Sequence, residues 1–149
     1  WAENYLSDGL PVANWDWDTM PNDGEYPELP PPCLVLLADD EPAIIDLAQL
    51  ILRNDGIDVL TAVGGQEALS KVDNAVDVLV FDVMMPDIDG ISCVHEARQR
   101  GFEGPIFLFT TLQSTRLRNE IATMDDVHFV DKTRELHLLP KLIRRALDA

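Results

Sequence analysis

The sequence predicts an α/β protein with five parallel strands and helices on both faces of one sheet. Two observations support this fold class. Short apolar segments alternate with segments of helical periodicity from residue 33 to the C-terminus. The apolar segments are nearly continuous rather than alternating with polar residues, which is typical of strands that are buried on both faces. The fold class therefore follows from the order and the type of the segments.

The five predicted strands share short runs of Val, Leu, Ile or Phe. They are Cys33–Ala38, Asp58–Ala62, Val76–Phe81, Ile106–Phe109 and Val127–Val130. These segments have the length expected of buried strands, and a helical segment follows each of them. Their spacing along the chain predicts five βα units.

The first predicted helix follows Asp39-Asp40-Glu41-Pro42, which supplies an Asp cap, an acid in the first turn and an early Pro. Gly56 ends this helix, and Gly65–Val72 is the second. A loop at Val83–Gly90 leads into the third. The last three helices are predicted from apolar residues at helical spacing. These are Ile91, Val94 and Ala97 in the third, Leu117, Ile121 and Met124 in the fourth, and Leu139, Leu142, Ile143 and Ala146 in the fifth. Pro140 lies in the first turn of the fifth helix.

The composition and the charge of the chain exclude several classes of protein. The length of 149 residues favours one domain, and 27 acidic against 11 basic residues give a net charge of −16. Because phosphate binding needs Lys and Arg, we expect no direct binding to nucleic acid or to an anionic membrane surface. The sequence contains no run of about 18 apolar residues, so we expect no transmembrane helix. With two cysteines and no secretory signal, we expect a cytoplasmic protein.

The first 32 residues differ in composition from the rest of the chain. They contain seven acids, no Lys or Arg, all three Trp, both Tyr and six of the ten Pro. Three consecutive prolines, Pro30–Pro32, favour a stiff polyproline stretch at the end of this segment. We therefore predict an irregular acidic tail or linker over residues 1–32 and a folded domain over residues 33–149.

Polar side chains follow the ends of the predicted buried strands. They are Asp39-Asp40, Asp82, Thr110-Thr111 and Lys132. In a doubly wound sheet, ligands bind at the carboxyl ends of the strands, where the strand order reverses. A double Asp before Pro is also a good helix cap, so the pair alone fits either interpretation. The joint arrangement predicts a compact charged site at this edge of the sheet.

The residue types at this edge indicate phosphoryl chemistry. Clustered carboxylates favour a hard cation, and Mg²⁺ with retained waters suits two or three of them. Such an ion bridges carboxylate and phosphate oxygens, and a carboxylate can act as a nucleophile toward phosphorus. Lys132 supplies a point charge for a phosphoryl oxygen, and Thr110 supplies a hydroxyl donor. N–H groups of the loop after Asp82 can contribute as well.

The sequence resembles the receiver domain of bacterial response regulators, which act in two-component signalling. The resemblance covers about residues 33–149. Its most specific element is the segment Asp-Val-Met-Met-Pro-Asp-Ile-Asp-Gly at residues 82–90, which matches the family's phosphorylation loop. The early acidic pair, the Thr after the fourth strand and the Lys after the fifth strand also occur at the family's intervals. The resemblance implies a flavodoxin-like fold with the strand order 2-1-3-4-5.

The resemblance also implies roles for the acidic positions. Asp82 would accept a phosphoryl group from the phosphohistidine of a sensor histidine kinase, or from a phosphotransfer protein. Asp40 would bind Mg²⁺ directly and Asp39 mostly through water. Asp82 and the backbone carbonyl of Met84 would complete the protein ligands.

The remaining implied roles concern catalysis and switching. Lys132 and Thr110 would complete the catalytic set, and Thr110 would turn toward the phosphoryl group once it is present. Phe129 occupies the position of the family's aromatic switch residue. The output would be a change at the face of the fourth helix, fifth strand and fifth helix, where an output protein or domain would bind. A second copy of the chain is another candidate partner. The domain would catalyse only its own phosphorylation and dephosphorylation, so we expect no separate enzyme activity.

The sequence departs from the family pattern in two places. Thr133 follows the Lys where the family usually has Pro, often with a cis peptide bond, and Asp125-Asp126 replaces the Gly-Ala often found before the fifth strand. Met84 and Leu112 are the positions that flank the line of water attack in the family. Both are apolar and cannot orient a water molecule, so we predict a phosphoryl lifetime longer than minutes.

The sequence has three alternative interpretations besides a phosphorylated response regulator. A pseudo-receiver is a protein-interaction module that is never phosphorylated, and such modules typically lose one or more of the residues that are intact here. A receiver module from a hybrid histidine kinase is a second alternative, since a linker rich in Pro and acids suits such a fusion. A Mg²⁺-dependent phosphatase with an Asp nucleophile needs a second Asp at position 84, where this chain has Met. We set that alternative aside.

Overall fold

The computed structural model describes residues 32–112 and 114–148. The predicted tail lies outside these residues except for Pro32, so the boundary between tail and domain stays a prediction. Within the two described ranges, no helix has both the length and the apolar character needed to cross a membrane.

Five strands and five helices alternate along the described part of the chain. The strands are β1 (Leu34–Ala38), β2 (Asp58–Ala62), β3 (Val78–Asp82), β4 (Ile106–Thr110) and β5 (Val127–Asp131). The helices are α1 (Pro42–Asn54), α2 (Gly65–Lys71), α3 (Gly90–Gln99), α4 (Thr115–Ala122) and α5 (Leu139–Asp148), and a 3₁₀ turn at Leu136–Leu138 precedes α5. The predicted order of elements is confirmed.

All five strands are parallel and form one sheet in the order β2-β1-β3-β4-β5. This confirms the predicted fold class and strand order. The chain leaves β1 toward β2 and later returns on the other side of β1 with β3, so the strand order reverses between β1 and β3. Ala38 pairs in register with Phe81. The next residues, Asp39 and Asp82, therefore leave the sheet side by side.

Each face of the sheet has its own hydrophobic core. Side chains of α2, α3 and α4 cover one face, and side chains of α1 and α5 cover the other. Leu36, Phe81 and Leu108 point into the first core, whereas Leu37 and Phe109 point into the second. This alternation along single strands explains why the strand sequences are apolar at nearly every position.

Two predicted boundaries shift by a few residues. The third strand begins at Val78 rather than Val76, because Asp77 exchanges hydrogen bonds with Leu34 through its backbone N–H and its carboxylate before the ladder starts. Helix α4 ends at Ala122, so Met124 lies beyond it, half-buried against the first core.

The start of α1 differs from the predicted Asp cap. The cap residue is Glu41, whose side chain makes no capping hydrogen bond, and Pro42 is the first helical residue. The Asp39 carboxylate instead accepts the Glu41 N–H at 2.8 Å. Side-chain caps are present at α3 and α4, where Asp89 accepts from Ser92 N at 2.9 Å and Ser114 accepts from Leu117 N at 3.1 Å.

Candidate functional site

The buried polar residues of the described chain all lie at the carboxyl edge of the sheet. Each of them ends a strand or follows one within two residues: Asp39, Asp82, Thr110, Asp131 and Lys132. Burial of a charged side chain is costly unless it is paired, so such a concentration needs a local explanation. The sequence predicted this edge as the site and identified four of these five residues.

The two acids after β1 have different environments. Asp39 is fully buried, and its Oδ1 accepts the Glu41 N–H, while its own N–H donates to Ala62 O at 3.2 Å. Asp40 is exposed. One acid is thus fixed inside the edge and the other faces solvent, which is where a ligand would enter.

Lys132 pairs with both buried carboxylates. Its Nζ lies 2.6 Å from Asp39 Oδ2 and 3.2 Å from Asp82 Oδ1, and Glu41 Oε1 is 4.0 Å away. Burial lowers the pKa of Lys132, but the close ion pair with Asp39 and the negative charge of Asp82 outweigh this effect and raise the pKa overall. The side chain therefore stays a cation at the edge.

Asp82 ends β3 and is 3% exposed. Its Oδ1 accepts the Met84 N–H at 3.2 Å, which is the backbone donor expected from the loop after this residue. Burial first, and then the negative charge of Asp39, raise the pKa of Asp82 to about 6, although Lys132 opposes both. Ionised Asp82 is therefore destabilised, and a bound cation, protonation or covalent modification of the carboxylate would relieve this cost.

The three carboxylates fit a divalent cation. One oxygen each from Asp39, Asp40 and Asp82 lies within 4.8 Å of the other two. Asp39 Oδ2 is enclosed and has no well-aligned hydrogen-bond donor among the described residues, so its contact with Lys132 is an ion pair without good hydrogen-bond geometry. Three carboxylates also exceed the single charge of Lys132. An oxygen-ligated Mg²⁺ satisfies both the orphaned oxygen and the excess negative charge.

The two predicted switch residues, Thr110 and Phe129, have different surroundings. Thr110 is 1% exposed, and its Oγ1 accepts the Leu112 N–H at 3.1 Å. Phe129 is half-buried on the α4 side of β5, and the Arg118 guanidinium lies 4.0 Å from the centre of its ring. The structure thus places Thr110 at the edge of the site and Phe129 outside it.

The two positions predicted to govern the phosphoryl lifetime are exposed. Met84 is 60% exposed and Leu112 is 40% exposed, and each follows a strand end by two residues. Neither side chain offers a strong hydrogen-bonding group. Both are therefore apolar groups exposed to solvent just beyond a strand end.

The peptide after Lys132 has ordinary geometry. The described residues contain no cis peptide bond, so the Lys132–Thr133 bond is trans. Asp126, which stands in the altered segment before β5, has a φ of 52° and thus the left-handed conformation that the chain needs at this turn. Its carboxylate contacts His128 Nε2 at 2.7 Å.

Two further residues of the site region were missed from the sequence. Asp87 accepts the N–H groups of Gly65 at 3.0 Å and Gln66 at 2.9 Å, which holds its pKa below the ordinary value and ties the loop after β3 to α2. Asp131 is 3% exposed and belongs to the turn that carries Lys132. The partners of Asp87 lie more than 20 residues away in sequence, so residue spacing carried no signal for its role. Asp131 bonds the backbone of its own turn, at Thr133 and Arg134.

Comparisons with known proteins agree with this arrangement. Residues 35–144 match the sequence model of the response regulator receiver domain. The chain is 42% identical over 84 residues to the transcriptional regulatory protein TrcR of Mycobacterium tuberculosis, which covers 56% of this chain and 33% of that protein. It is also 42% identical over 77 residues to the alkaline phosphatase synthesis transcriptional regulatory protein PhoP of Bacillus subtilis, covering 51% of this chain and 32% of that protein. The chain spans about a third of the length of these curated relatives.

Solved structures show the same fold. The chemotaxis protein CheY4 of Vibrio cholerae superposes with a TM-score of 0.70 at 30% identity, over 77% of this chain and 98% of that chain. The response regulator TrrA of Thermotoga maritima, solved in complex with Mg²⁺ and BeF, gives a TM-score of 0.66 at 27% identity, over 76% and 98%. The receiver domain of the hybrid histidine kinase CckA gives 0.63 at 27% identity, over 76% and 98%.

Proposed function

This chain belongs to the response regulator receiver domain family, and from that premise we propose that it accepts a phosphoryl group on Asp82 in a Mg²⁺-dependent reaction. The observation that carries the proposal is the geometry around this carboxylate. Asp82 is buried, lies within 4.8 Å of two further acids through their ligand oxygens, and faces the Lys132 ammonium at 3.2 Å. That is the charge pattern required to bring a phosphoryl dianion to a carboxylate nucleophile.

The transfer proceeds by attack of an Asp82 carboxylate oxygen on the phosphorus of a phosphohistidine. A P–O bond forms to Asp82 while the P–N bond breaks, and the electron pair of that bond remains on the imidazole nitrogen. Lys132 neutralises a phosphoryl oxygen, and the Met84 N–H, which now points at Asp82, is a second donor for the anionic group. Asp40, Asp82 and the Met84 carbonyl would hold Mg²⁺, with Asp39 acting mostly through water, and the ion would supply further neutralisation of phosphoryl charge.

The proposed partners follow from this chemistry. A sensor histidine kinase or a phosphotransfer protein supplies the phosphoryl group, and an output protein or domain reads the modified state. The protein is then a cytoplasmic switch that catalyses only its own phosphorylation and dephosphorylation. The similarity to TrcR and PhoP, and to the CckA receiver, supports either a response regulator or a module of a hybrid kinase.

The test is phosphorylation by acetyl phosphate with Mg²⁺, followed by intact mass. We expect the mass to rise by one phosphoryl group in the parent protein, and to stay unchanged in Asp82→Asn or when the metal is chelated. Asp46→Asn, which changes an exposed acid on α1 in the same way, serves as the matched control and should still be phosphorylated. A parent protein that gains no phosphoryl group from acetyl phosphate or a kinase, and binds no Mg²⁺, would be a pseudo-receiver.

We propose that phosphorylation is read at the face formed by α4, β5 and α5. A groove of about 590 Å³ lies there, with apolar walls that include Phe129 and Leu142 and with Arg118 and Arg145 at its rim. These arginines suit an output partner that presents acidic side chains around an apolar anchor. Phe129 forms part of the groove, so a change in its position changes the surface that a partner meets.

Beryllofluoride with Mg²⁺ tests this linkage, because it mimics an aspartyl phosphate without turnover. In ¹H–¹⁵N spectra, we expect amide shifts to extend from the loop after Asp82 to α4 and β5. In Thr110→Ala, the shifts near Asp82 should persist and those in α4 and β5 should shrink. Equal shifts in both proteins would show that Thr110 does not carry the signal to this face.

We also propose that the aspartyl phosphate persists for longer than minutes. Met84 and Leu112 are apolar groups exposed to solvent just beyond a strand end and cannot orient an attacking water by hydrogen bonding. Met84→Glu introduces a group that can, and it should shorten the lifetime several-fold, measured as decay of the phosphorylated mass after the phosphodonor is removed. A half-life of seconds in the parent protein would contradict the proposal.

A further inference from the structure

The turn after β5 is closed by reciprocal hydrogen bonds between its first and last residues. Asp131 Oδ1 accepts the Thr133 N–H at 2.9 Å and the Arg134 N–H at 3.3 Å. Two more hydrogen bonds join Asp131 to Glu135. Glu135 Oε1 accepts the Asp131 N–H at 2.9 Å, and the Glu135 N–H donates to Asp131 O at 2.8 Å. Four hydrogen bonds thus fix a five-residue turn.

Lys132 lies inside this turn. Its backbone N–H donates to Thr110 O at 3.0 Å, and its side chain reaches inward to Asp39 and Asp82. The next residue, Thr133, is exposed. The Lys side chain has a flexible four-carbon stem, so the place of its ammonium group depends on how firmly the backbone of the turn is held.

The chemistry of the turn depends on the residue at position 133. Proline has no backbone N–H, so a proline there could not donate to Asp131. Thr133 has this N–H and uses it. Asp131 is 3% exposed, and a carboxylate that deeply placed would be costly without such donors. The buried acid and the amide at position 133 therefore work together.

We propose that Asp131 and Glu135 are positioning residues, which hold the turn so that the Lys132 ammonium meets Asp39 and Asp82. In this role they act through the backbone of the turn and through Lys132. The inference rests on the proposed phosphorylation of Asp82, and it adds two residues on which the reaction depends. It gives the turn a hydrogen-bonded support that proline at position 133 would not supply.

Loss of this support has two consequences with opposite signs. The Lys132 ammonium competes with a divalent cation for the same carboxylates, so a misplaced Lys132 should let Mg²⁺ bind more tightly. Phosphorylation needs the same ammonium next to the phosphoryl oxygens, so it should become slower. General loosening of the fold would weaken both metal binding and phosphorylation. The split in direction therefore separates positioning from a merely structural role.

The experiment compares Glu135→Ala with Glu135→Gln, whose amide oxygen can still accept the Asp131 N–H. Mg²⁺ affinity is measured by isothermal titration calorimetry, and phosphorylation by acetyl phosphate is followed by intact mass. For Glu135→Ala we expect about threefold tighter Mg²⁺ binding and about tenfold slower phosphorylation, each within 1.4 kcal/mol. Glu135→Gln should behave like the parent protein. Glu103→Ala, a change at an exposed acid, is the matched control.

A double-mutant cycle with Lys132→Ala completes the test. If Glu135 acts through Lys132, then Glu135→Ala changes neither property further in the Lys132→Ala background. Equal effects in both backgrounds, or weaker Mg²⁺ binding in Glu135→Ala, would overturn the positioning role. A parent protein that binds Mg²⁺ but is not phosphorylated would overturn the proposed function instead. The calorimetric arm would still decide whether Glu135 positions Lys132.

Discussion

The body of the sheet buries apolar side chains, whereas its carboxyl edge buries polar and charged ones. In the body, up to Ala38, Phe81 and Phe109, the side chains of β1, β3 and β4 are apolar, and all but the first of β1 are buried in two hydrophobic cores. At the edge, one residue beyond, the buried side chains are acids, a hydroxyl and an ammonium group. Only one peptide unit separates Phe81, which is fully buried in the first core, from Asp82.

This contrast shows how stability and chemistry are divided in the molecule. Burial of apolar surface in the body stabilises the fold. At the edge, carboxylates crowd against each other and the pKa of Asp82 is raised, which costs stability and makes the group reactive. A substitution in the body should therefore destabilise the fold, whereas neutralising an acid at the edge should stabilise it.

The largest effect is expected from truncating a side chain in the body. Phe81→Ala removes a fully buried ring next to the phosphoacceptor and should lower the free energy of unfolding by about 3 to 5 kcal/mol, measured by urea unfolding. Leu50→Ala, at a 58% exposed position on α1, is the control and should change it by less than about 0.5 kcal/mol. Similar losses in the two variants would remove the distinction between body and surface.

An added methyl group where the edge meets α3 should have the next largest effect. A Cβ at Gly90 would clash with Asp82 O and lie 2.9 Å from Val83 Cα, so the backbone at the site must move. Gly90→Ala should lower the free energy of unfolding by about 1 to 3 kcal/mol and slow phosphorylation of Asp82. Normal phosphorylation by acetyl phosphate would show that the edge tolerates a shift of this backbone.

A substitution at Asp82 should raise the free energy of unfolding, whereas the two preceding substitutions should lower it. Its pKa rises from 3.8 in the unfolded chain to about 6 in the folded protein. Between these values the folded protein holds a proton that the unfolded chain has released, so the free energy of unfolding falls as the pH rises through this window. Asp82→Asn avoids that loss and should be more stable than the parent by on the order of 1 kcal/mol at neutral pH.

Urea unfolding at several pH values checks this prediction. The difference between Asp82→Asn and the parent should be small near pH 4, grow as the pH rises, and level off above the folded pKa of about 6. Asp46→Asn, at an exposed site on α1, should show no such growth. A destabilised Asp82→Asn variant would mean that the edge carries no electrostatic strain.

The smallest effect should come from a surface ion pair, which sets the baseline for the comparison. Arg100 Nε lies 2.9 Å from Glu96 Oε2, with side chains that are 48% and 43% exposed. Glu96→Ala should change the free energy of unfolding by no more than about 0.5 kcal/mol, and less in high salt. A loss above 1 kcal/mol would show that surface charge in this acidic protein matters more than its exposure indicates.

Much of the fold was predictable because it depends on local patterns. The apolar segments located all five strands, and Pro140 and Gly56 marked the start of α5 and the end of α1. The errors arose where a distant partner set the boundary. Asp77 pairs with Leu34 before β3 begins, and the residue that caps α1 is Glu41, which makes no side-chain capping hydrogen bond. Residue spacing does not encode such contacts.

The sequence specifies which residues follow each strand, and a parallel sheet brings the carboxyl ends of its strands to one edge. The sequence by itself therefore determined that acids, a Thr and a Lys would lie near each other. Only the tertiary structure decided their environments: Asp39 is enclosed while Asp40 is exposed, and Lys132 bridges two carboxylates. The physical reason is that burial and hydrogen bonding depend on distances between chain segments, whereas periodicity depends only on neighbours in sequence.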